Sequence, residues 1–339
     1  MTTLSTLLEP VTVAGLPLTS RFVMAPMTRY HSPGGVPGAE VAAYYRRRAE
    51  NGVGLIITEG ILVDHPSAGH QPCVPRLAGP GTQRGWRRVT DEVHAAGGRI
   101  AAQLWHLGSQ REPPAWTPST MTTADIDNLL LAYGTSARAA VRAGFDAVEI
   151  HAAHGYLLDE FLWPLTNRRT DRFGGDAAGR ATVPSEVIRA VRAAIPASMP
   201  LIVRFSQHKN RDYTARIAQT PGELATVLSS FARAGADVLH ASQRRFWEPA
   251  FRGSPLNLAG WAKHLTGLPS ITVGSVGLTR GFLTSAHRDL LLDRAAAGDF
   301  DLVAVGRALL GNPAWVRLAA GGRAGEIRDY HKSDEDAYY

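Results

Sequence analysis

Residues 143–156 read AGFDAVEIHAAHGY. The run opens on a glycine turn and passes through Asp146-Ala-Val-Glu-Ile-His151, a short apolar strand. It ends in two imidazoles and a phenol. Its opening formula recurs along the chain. Ala234-Gly-Ala-Asp237 leads into Val-Leu-His-Ala-Ser242, and Ala297-Gly-Asp-Phe-Asp301 leads into Leu-Val-Ala-Val-Gly306. Each instance sets a helix stop directly against a strand start.

Other strands of the same character are Arg21–Pro26, Gly54–Glu59, Arg99–Trp105, Leu201–Ser206 and Ser270–Gly274. They are short, rich in aliphatic and β-branched residues, and bounded by Gly, Pro or polar turns. That pattern belongs to strands buried on both faces. Helical patterns alternate with them over 39–51, 81–96, 124–143, 184–195, 221–234, 255–266, 280–297 and 313–320. Several of these open with Pro and stop at Gly, the expected asymmetry. Eight strand–helix units predict an α/β fold, a closed (β/α)8 TIM barrel, with an open doubly wound sheet as the alternative. No linker or composition break interrupts residues 1–339, so a single domain is expected. Val11–Leu18 reads as an N-terminal hairpin that plugs the barrel bottom. The connections after strands three and four, residues 106–123 and 151–183, are long enough to carry function.

The bulk numbers narrow the class. A chain of 339 residues with 45% hydrophobic content buries a sizeable core, and its one cysteine, Cys73, excludes an internal disulfide. The start, MTTLSTLLEPVTVAG, is not a secretory signal, and no run approaches the ~20 apolar residues of a membrane span. A cytoplasmic protein is expected. The net charge of +6 is scattered. Its densest cluster, Arg46-Arg47-Arg48, shares a helix with Glu40 and Glu50 and reads as a solvated face, not a nucleic-acid patch.

In a barrel of this kind the active site lies at the C-terminal strand ends. Those positions hold Pro26, Met27, Thr28 and Tyr30; Thr58, Glu59 and Gly60; Gln103, Trp105 and His106; His151, His154 and Tyr156; Arg204 and Ser206; His240 and Ser242; Gly274 and Ser275; Gly306 and Arg307. Gly274-Ser275 and Gly306-Arg307, after strands seven and eight, suit a phosphate held by backbone N–H groups and a guanidinium. Gln103 offers a donor and an acceptor to a ligand edge, and Arg204 stabilises negative charge near it. His151 and His154 form an HxxH pair that needs a third ligand to bind metal. Two imidazoles gripping one substrate oxygen, with a phenol as proton donor, fit the residue set better. No metal is expected.

The segments FVMAPMTRY, ITEG, QLWHLG, HAAHGYLLDEFLWPLTNRRTDRFGG, VRFS, TVGSVG and VAVGRALL together resemble the Old Yellow Enzyme family of FMN-dependent ene-reductases. The resemblance implies FMN over the barrel mouth, reduced by NADH or NADPH. It places Pro26, Met27, Thr28 and Gly60 beside the flavin ring, Gln103 and Arg204 at its pyrimidine edge, and Gly274, Ser275, Gly306 and Arg307 at its phosphate. It makes Tyr156 the proton donor and His151 and His154 the carbonyl clamp. Tyr30 and Trp105, to which it assigns no role, are further candidates for the substrate pocket. The implied reaction is reduction of the C=C bond of an α,β-unsaturated carbonyl compound, by hydride from the flavin and a proton from Tyr156. Isomerisation or oxidation of a natural-product intermediate on the same flavin is the alternative, and a His-ligated metal hydrolase the third. A homo-oligomer is compatible with the family. The chain departs from the family pattern at Glu160, often Gln; at Trp163, often smaller or polar; and at Ser109, often Arg. The loop Arg244–Trp247 carries no assignable motif.

Overall fold

The computed structural model describes residues 3–111, 116–210 and 212–338. Two short strands, β1 (Val11–Val13) and β2 (Leu16–Leu18), form the antiparallel hairpin. Ala14 and Gly15 turn it with φ of 49° and 80°, the doubly positive geometry of a two-residue hairpin loop. Eight parallel strands follow: β3 (Phe22–Met24), β4 (Leu55–Leu62), β5 (Arg99–Trp105), β6 (Ala147–His154), β7 (Leu201–Lys209), β8 (Val238–Ser242), β9 (Ser270–Val273) and β10 (Leu302–Val305). Each pairs with its sequence neighbours, and β10 pairs with β3 to close the barrel. The expected closed architecture is the one observed, and the open sheet is excluded.

Helices cover the outside: α1 (Ala39–Ala49), α2 (Pro80–Ala95), α3 (Thr123–Ala143), α4 (Leu157–Leu162), α5 (Ala177–Arg180), α6 (Thr182–Ala194), α7 (Pro221–Ala234), α8 (Leu258–Thr266), α9 (Ala286–Ala296), α10 (Ala308–Gly311) and α11 (Trp315–Ala320). Thr122 caps α3 with a reciprocal box to Asp125, and Gly144 ends it at φ 88°. The expected helix over 255–266 starts later, because Asn257 caps it by accepting the Gly260 N–H at 2.9 Å. The expected helix over 280–297 is broken: Arg280–Thr284 is a 3-10 turn and Ser285 is extended before α9. The long connection after β6 is not irregular throughout, since it carries α4 and α5. All six residues of α4 are buried, so no polar stripe marks it as a helix. Pro113, Pro114 and Ala115, in the connection after β5, lie outside the described residues.

Alternate strand residues point inward. At the bottom, Val13 and Leu18 of the hairpin pack on Val23, Leu55, Ala101, Ala147, Ile202, Val238, Ile271 and Leu302. The plug is therefore an apolar lid that keeps water from the strand N-termini. The opposite faces of the strands pack against the helices in a larger apolar shell.

The basic cluster on α1 needs one correction. Arg46 is exposed and pairs with Glu50 and Glu92, but Arg48 is fully buried. It lies 3.7 Å over the Tyr44 ring and donates to the carbonyls of Tyr44 and Leu309. No helix among the described residues is long and apolar enough to cross a membrane.

The plug predicts a separation of effects. Leu18→Ala should cost about 2–4 kcal/mol in denaturant unfolding while leaving the near-ultraviolet signal of the mouth's aromatic rings unchanged, because it opens a cavity at the end opposite the mouth.

Candidate active site

Strand register assembles a polar layer inside the barrel. Gln103 sits opposite Glu149, His151 opposite Arg204, and Arg204 opposite His240. The Gln103 amide Nε2 donates to Glu149 Oε1 at 2.7 Å. His240 Nδ1 donates to Glu149 Oε2 at 2.6 Å, and both side chains of this pair are fully buried. Because the carboxylate only accepts, it fixes the Gln103 amide with its carbonyl oxygen turned away. Burial holds His240 below its ordinary pKa despite the carboxylate, and its Nε2 has no partner among the described residues. Glu149 was absent from the strand-end reading. Its signal is a charge inside the run Ala-Val-Glu-Ile, which is otherwise buried on both faces.

Above this layer stands a cage of rings. Trp105 meets Tyr156 edge-on with centroids 4.9 Å apart, Tyr156 meets His151 at 5.1 Å, and His151 meets His154 at 5.2 Å. The chain turns from β6 into α4 through His154 and Gly155, at φ 65° and 83°. A non-glycine residue in the left-handed region is strained, and such strain gathers at functional positions. Asp159 holds the turn: it accepts the Gly155 N–H at 2.6 Å and pairs with buried Lys209 at 2.6 Å. Ser242 Oγ lies 2.8 Å from His154 Nε2 and accepts from Arg204 at 3.4 Å. Burial and the Arg204 charge push both His151 and His154 well below the usual histidine range. Both imidazoles are therefore neutral at pH 7. The Tyr156 phenol is raised by burial and accepts a bond from Asn210 Nδ2 at 3.2 Å.

Beside the cage runs a cleft of about 300 Å³. Pro26, Met27, Arg204, Gly274, Ser275, Gly306 and Arg307 all line it, so most of the expected cofactor positions converge. Gly274 has φ 154°, and a Cβ there would lie 2.5 Å from the Gln243 carbonyl oxygen. Ser275 has φ 58° and donates its hydroxyl to the Arg244 carbonyl at 2.9 Å. Gly60 faces the Trp105 indole, where a Cβ would stand 2.5 Å from the ring. Thr28 continues from Met27, and the next N–H, of Arg29, is held by buried Glu59 at 2.9 Å. This loop is braced from the far end of the chain: Tyr338 stacks on His31 at 3.8 Å and on Tyr44 at 4.5 Å. Tyr30 has φ 58° and stands exposed at the rim, outside the ring cage.

The departures also find places. Glu160 is buried and accepts the Ser109 N–H at 3.2 Å, tying the connection after β5 to α4. Of the unassigned loop, Arg244 lines the cleft, Phe246 is fully buried, Trp247 stacks on His287 at 3.9 Å, and Arg245 pairs with Glu248. His106 does not face the mouth. It pairs with Ser67 at 2.9 Å and stacks on Trp116. Among the described residues no group of three His, Cys, Asp or Glu is placed to hold a metal.

Among the described residues, three buried polar atoms around the mouth lack partners: Trp105 Nε1, His151 Nδ1 and Arg204 Nε. Unpaired buried polar atoms are costly and mark where a ligand bonds. Together with the Gly274 cradle they fit a planar, polar-edged group with an anionic tail.

The family model of the NADH:flavin oxidoreductase / NADH oxidase family matches residues 6–326. The chain is 31% identical to the NADH oxidase of Thermoanaerobacter brockii, over 93% of its own length and 51% of that protein, so it spans about half of that relative. It is 32% identical to 12-oxophytodienoate reductase 7 of Oryza sativa subsp. japonica, over 93% of its own length and 88% of that protein. The crystal structure of Old Yellow Enzyme from Pichia sp. AKU4542 superposes with a TM-score of 0.82 at 25% identity, covering 97% of this chain and 89% of that one.

The site generates a pH prediction. Burial raises the Glu160 carboxyl to about 7. A raised acid pKa makes its stability contribution greatest below the unfolded value, and that contribution is lost as pH rises through 7. Glu160→Gln should therefore gain stability over the parent protein as pH goes from 5 to 8, by up to about 3 kcal/mol in denaturant melts at the two pH values.

Proposed function

The chain belongs to the NADH:flavin oxidoreductase / NADH oxidase family, the FMN-dependent NAD(P)H oxidoreductases of Old Yellow Enzyme type, and we propose that it reduces the activated C=C bond of α,β-unsaturated carbonyl compounds. The observation that carries this reading is the ring cage. Two neutral imidazoles and a phenol share one pocket, next to a glycine-floored cleft ending in Arg307.

When bound, FMN supplies the hydride, with electrons from NADH or NADPH. The residues assigned to it are Pro26, Met27, Thr28 and Gly60 along the ring, Gln103 and Arg204 at the polar edge, and Gly274, Ser275, Gly306 and Arg307 at the phosphate. Arg204 is held among Glu149, His240 and Ser242, so its charge is fixed where negative charge accumulates.

His151 and His154 hold the substrate carbonyl oxygen. Being neutral, each donates one N–H and stabilises the enolate without transferring its own proton. Tyr156 delivers the proton to the α-carbon. Its raised pKa keeps the phenol protonated at neutral pH, and the bond from Asn210 occupies a lone pair, leaving the hydroxyl hydrogen free. Trp105 and Tyr30 bound the space above the cage and set the orientation of the substrate. A positioned proton donor favours net reduction over isomerisation or oxidation. Among the described residues no third ligand stands beside the HxxH pair, which argues against the metal hydrolase.

The test separates the two half-reactions. Tyr156→Phe should leave flavin bleaching by NAD(P)H within about twofold of the parent protein and slow reoxidation by cyclohexenone by about 10²–10³-fold in anaerobic stopped-flow. Equal loss in both steps would remove Tyr156 from the role of proton donor. In the same assays His151→Ala should weaken enone binding about tenfold or more with FMN retained.

A further inference from the structure

The loops after β7 and β8 build a second compartment that the chemistry above does not use. It is a pocket of about 140 Å³ lined by His208, Tyr213, Arg216, Arg244 and Glu248, among others. It joins the cofactor cleft through His208, Tyr213, Gln243 and Arg244, which line both. A run of neighbouring rings, ending in a guanidinium, leads into it from the paired histidines. His154 faces His208 at 5.3 Å, His208 stacks on Tyr213 at 5.5 Å, and the Arg244 guanidinium sits 4.5 Å over the Tyr213 ring.

The floor is fixed before any ligand arrives. Gln207 Oε1 accepts the N–H groups of Ile217 and Ala218 at 2.9 and 3.1 Å, and its Nε2 donates back to the Ala218 carbonyl at 3.0 Å. The Arg216 guanidinium donates to the carbonyls of Tyr213 and Ala215 at 3.2 and 2.7 Å. Tyr213 is nonetheless half exposed, an aromatic face presented to the mouth.

The charges around the pocket do not cancel. Among the described residues, neither Arg216 nor Arg244 forms an ion pair with a carboxylate. Nearby acids and bases are otherwise engaged. Glu248 pairs with Arg245 at 3.1 Å and Lys209 with Asp159 at 2.6 Å, while Asp212 accepts the N–H groups of Thr214 and Ala215 at 2.8 and 3.1 Å. His208 is lowered to about 4 by burial and by the surrounding cations, so it contributes a neutral ring and not a third charge. Two guanidinium groups beside an aromatic shelf, one of them stacked, suit recognition of a planar or tetrahedral oxyanion.

We propose that this pocket is a subsite for the anionic group, a phosphate monoester or a carboxylate, of the molecule that reacts at the cage, held by Arg216 and Arg244 while its body lies along His208 and Tyr213. The proposal rests on the reading under "Proposed function" only for the identity of the acceptor. Two sources share the chemistry: the 2′-phosphate that distinguishes NADPH from NADH, and a carboxylate carried by the enone.

The test uses the FMN-loaded protein and reads dissociation constants from the bound-flavin spectrum and from calorimetry at low salt. One ligand pair is tetrahydro-NADPH against tetrahydro-NADH. The other is a carboxylated cyclohexenone against its methyl ester. The parent protein should favour the charged member of at least one pair by about tenfold, and Arg216→Gln with Arg244→Gln should bring that ratio to about one. The pair that responds names the source. A ratio near one for both pairs in the parent protein, or a ratio unchanged in the double variant, overturns the subsite. Loss of FMN from Arg244→Gln would make Arg244 a cofactor ligand and overturn its assignment, and Arg216→Gln alone then reads the pocket. Should the parent protein bind neither enone yet keep its NADPH preference, the ene-reductase reading falls and the subsite stands.

Discussion

A buried carboxylate organises this barrel. Glu149 lies at the centre with both oxygens engaged, one by Gln103 and the other by His240. A charge with no exposure costs several kcal/mol of desolvation unless its lone pairs are satisfied, and here Gln103 of β5 and His240 of β8 supply the donors. The same contacts orient groups that matter above them. Gln103 is held to one amide rotamer, His240 to one tautomer, and the Arg204 guanidinium is drawn toward the layer by charge. Removing one member would leave another buried and unpaired, so the layer acts as a unit.

The mouth is built on that platform by short, strained connections. β6 ends in a left-handed His154 and Gly155, and the Asp159–Lys209 pair holds the turn from beneath. Such a turn brings His151, His154 and Tyr156 from one strand end into a single cage, which a regular strand with its alternating faces cannot do. Ser275 after β9 and Tyr30 after β3 are left-handed too. The precision of the site is therefore a backbone property as much as a side-chain one.

The barrel was legible in the sequence because parallel strands buried on both faces read as apolar runs, and the glycine stops recur before β6, β8 and β10. The positions Pro26, Met27, Arg204, Gly274 and Gly306 followed from counting strand ends. Glu149 was passed over because one acid within a strand looks like a solvated residue, and its partners stand 46 and 91 positions away. Arg48 was misjudged for the related reason that burial of a guanidinium depends on the Leu309 carbonyl, which no local pattern reveals. α4 escaped because a helix buried on every side has no polar stripe. The loops carrying Tyr213 and Arg244 have no periodicity at all, so their convergence is a tertiary fact.

Closure of the barrel between its first and last strands governs the order of assembly. Phe22 to Met24 pair early with β4, but their other edge is filled only by Val303 to Val305, and Arg21 donates to the carbonyl of Asp301, 280 residues later. The wall that carries Pro26 and Met27 emerges early from a ribosome, whereas the wall with Gly306 and Arg307 emerges almost last. A nascent chain thus holds half a cleft for most of its synthesis. The cleft lined by Met27 and Arg307 is therefore complete only once the last strand has joined the first.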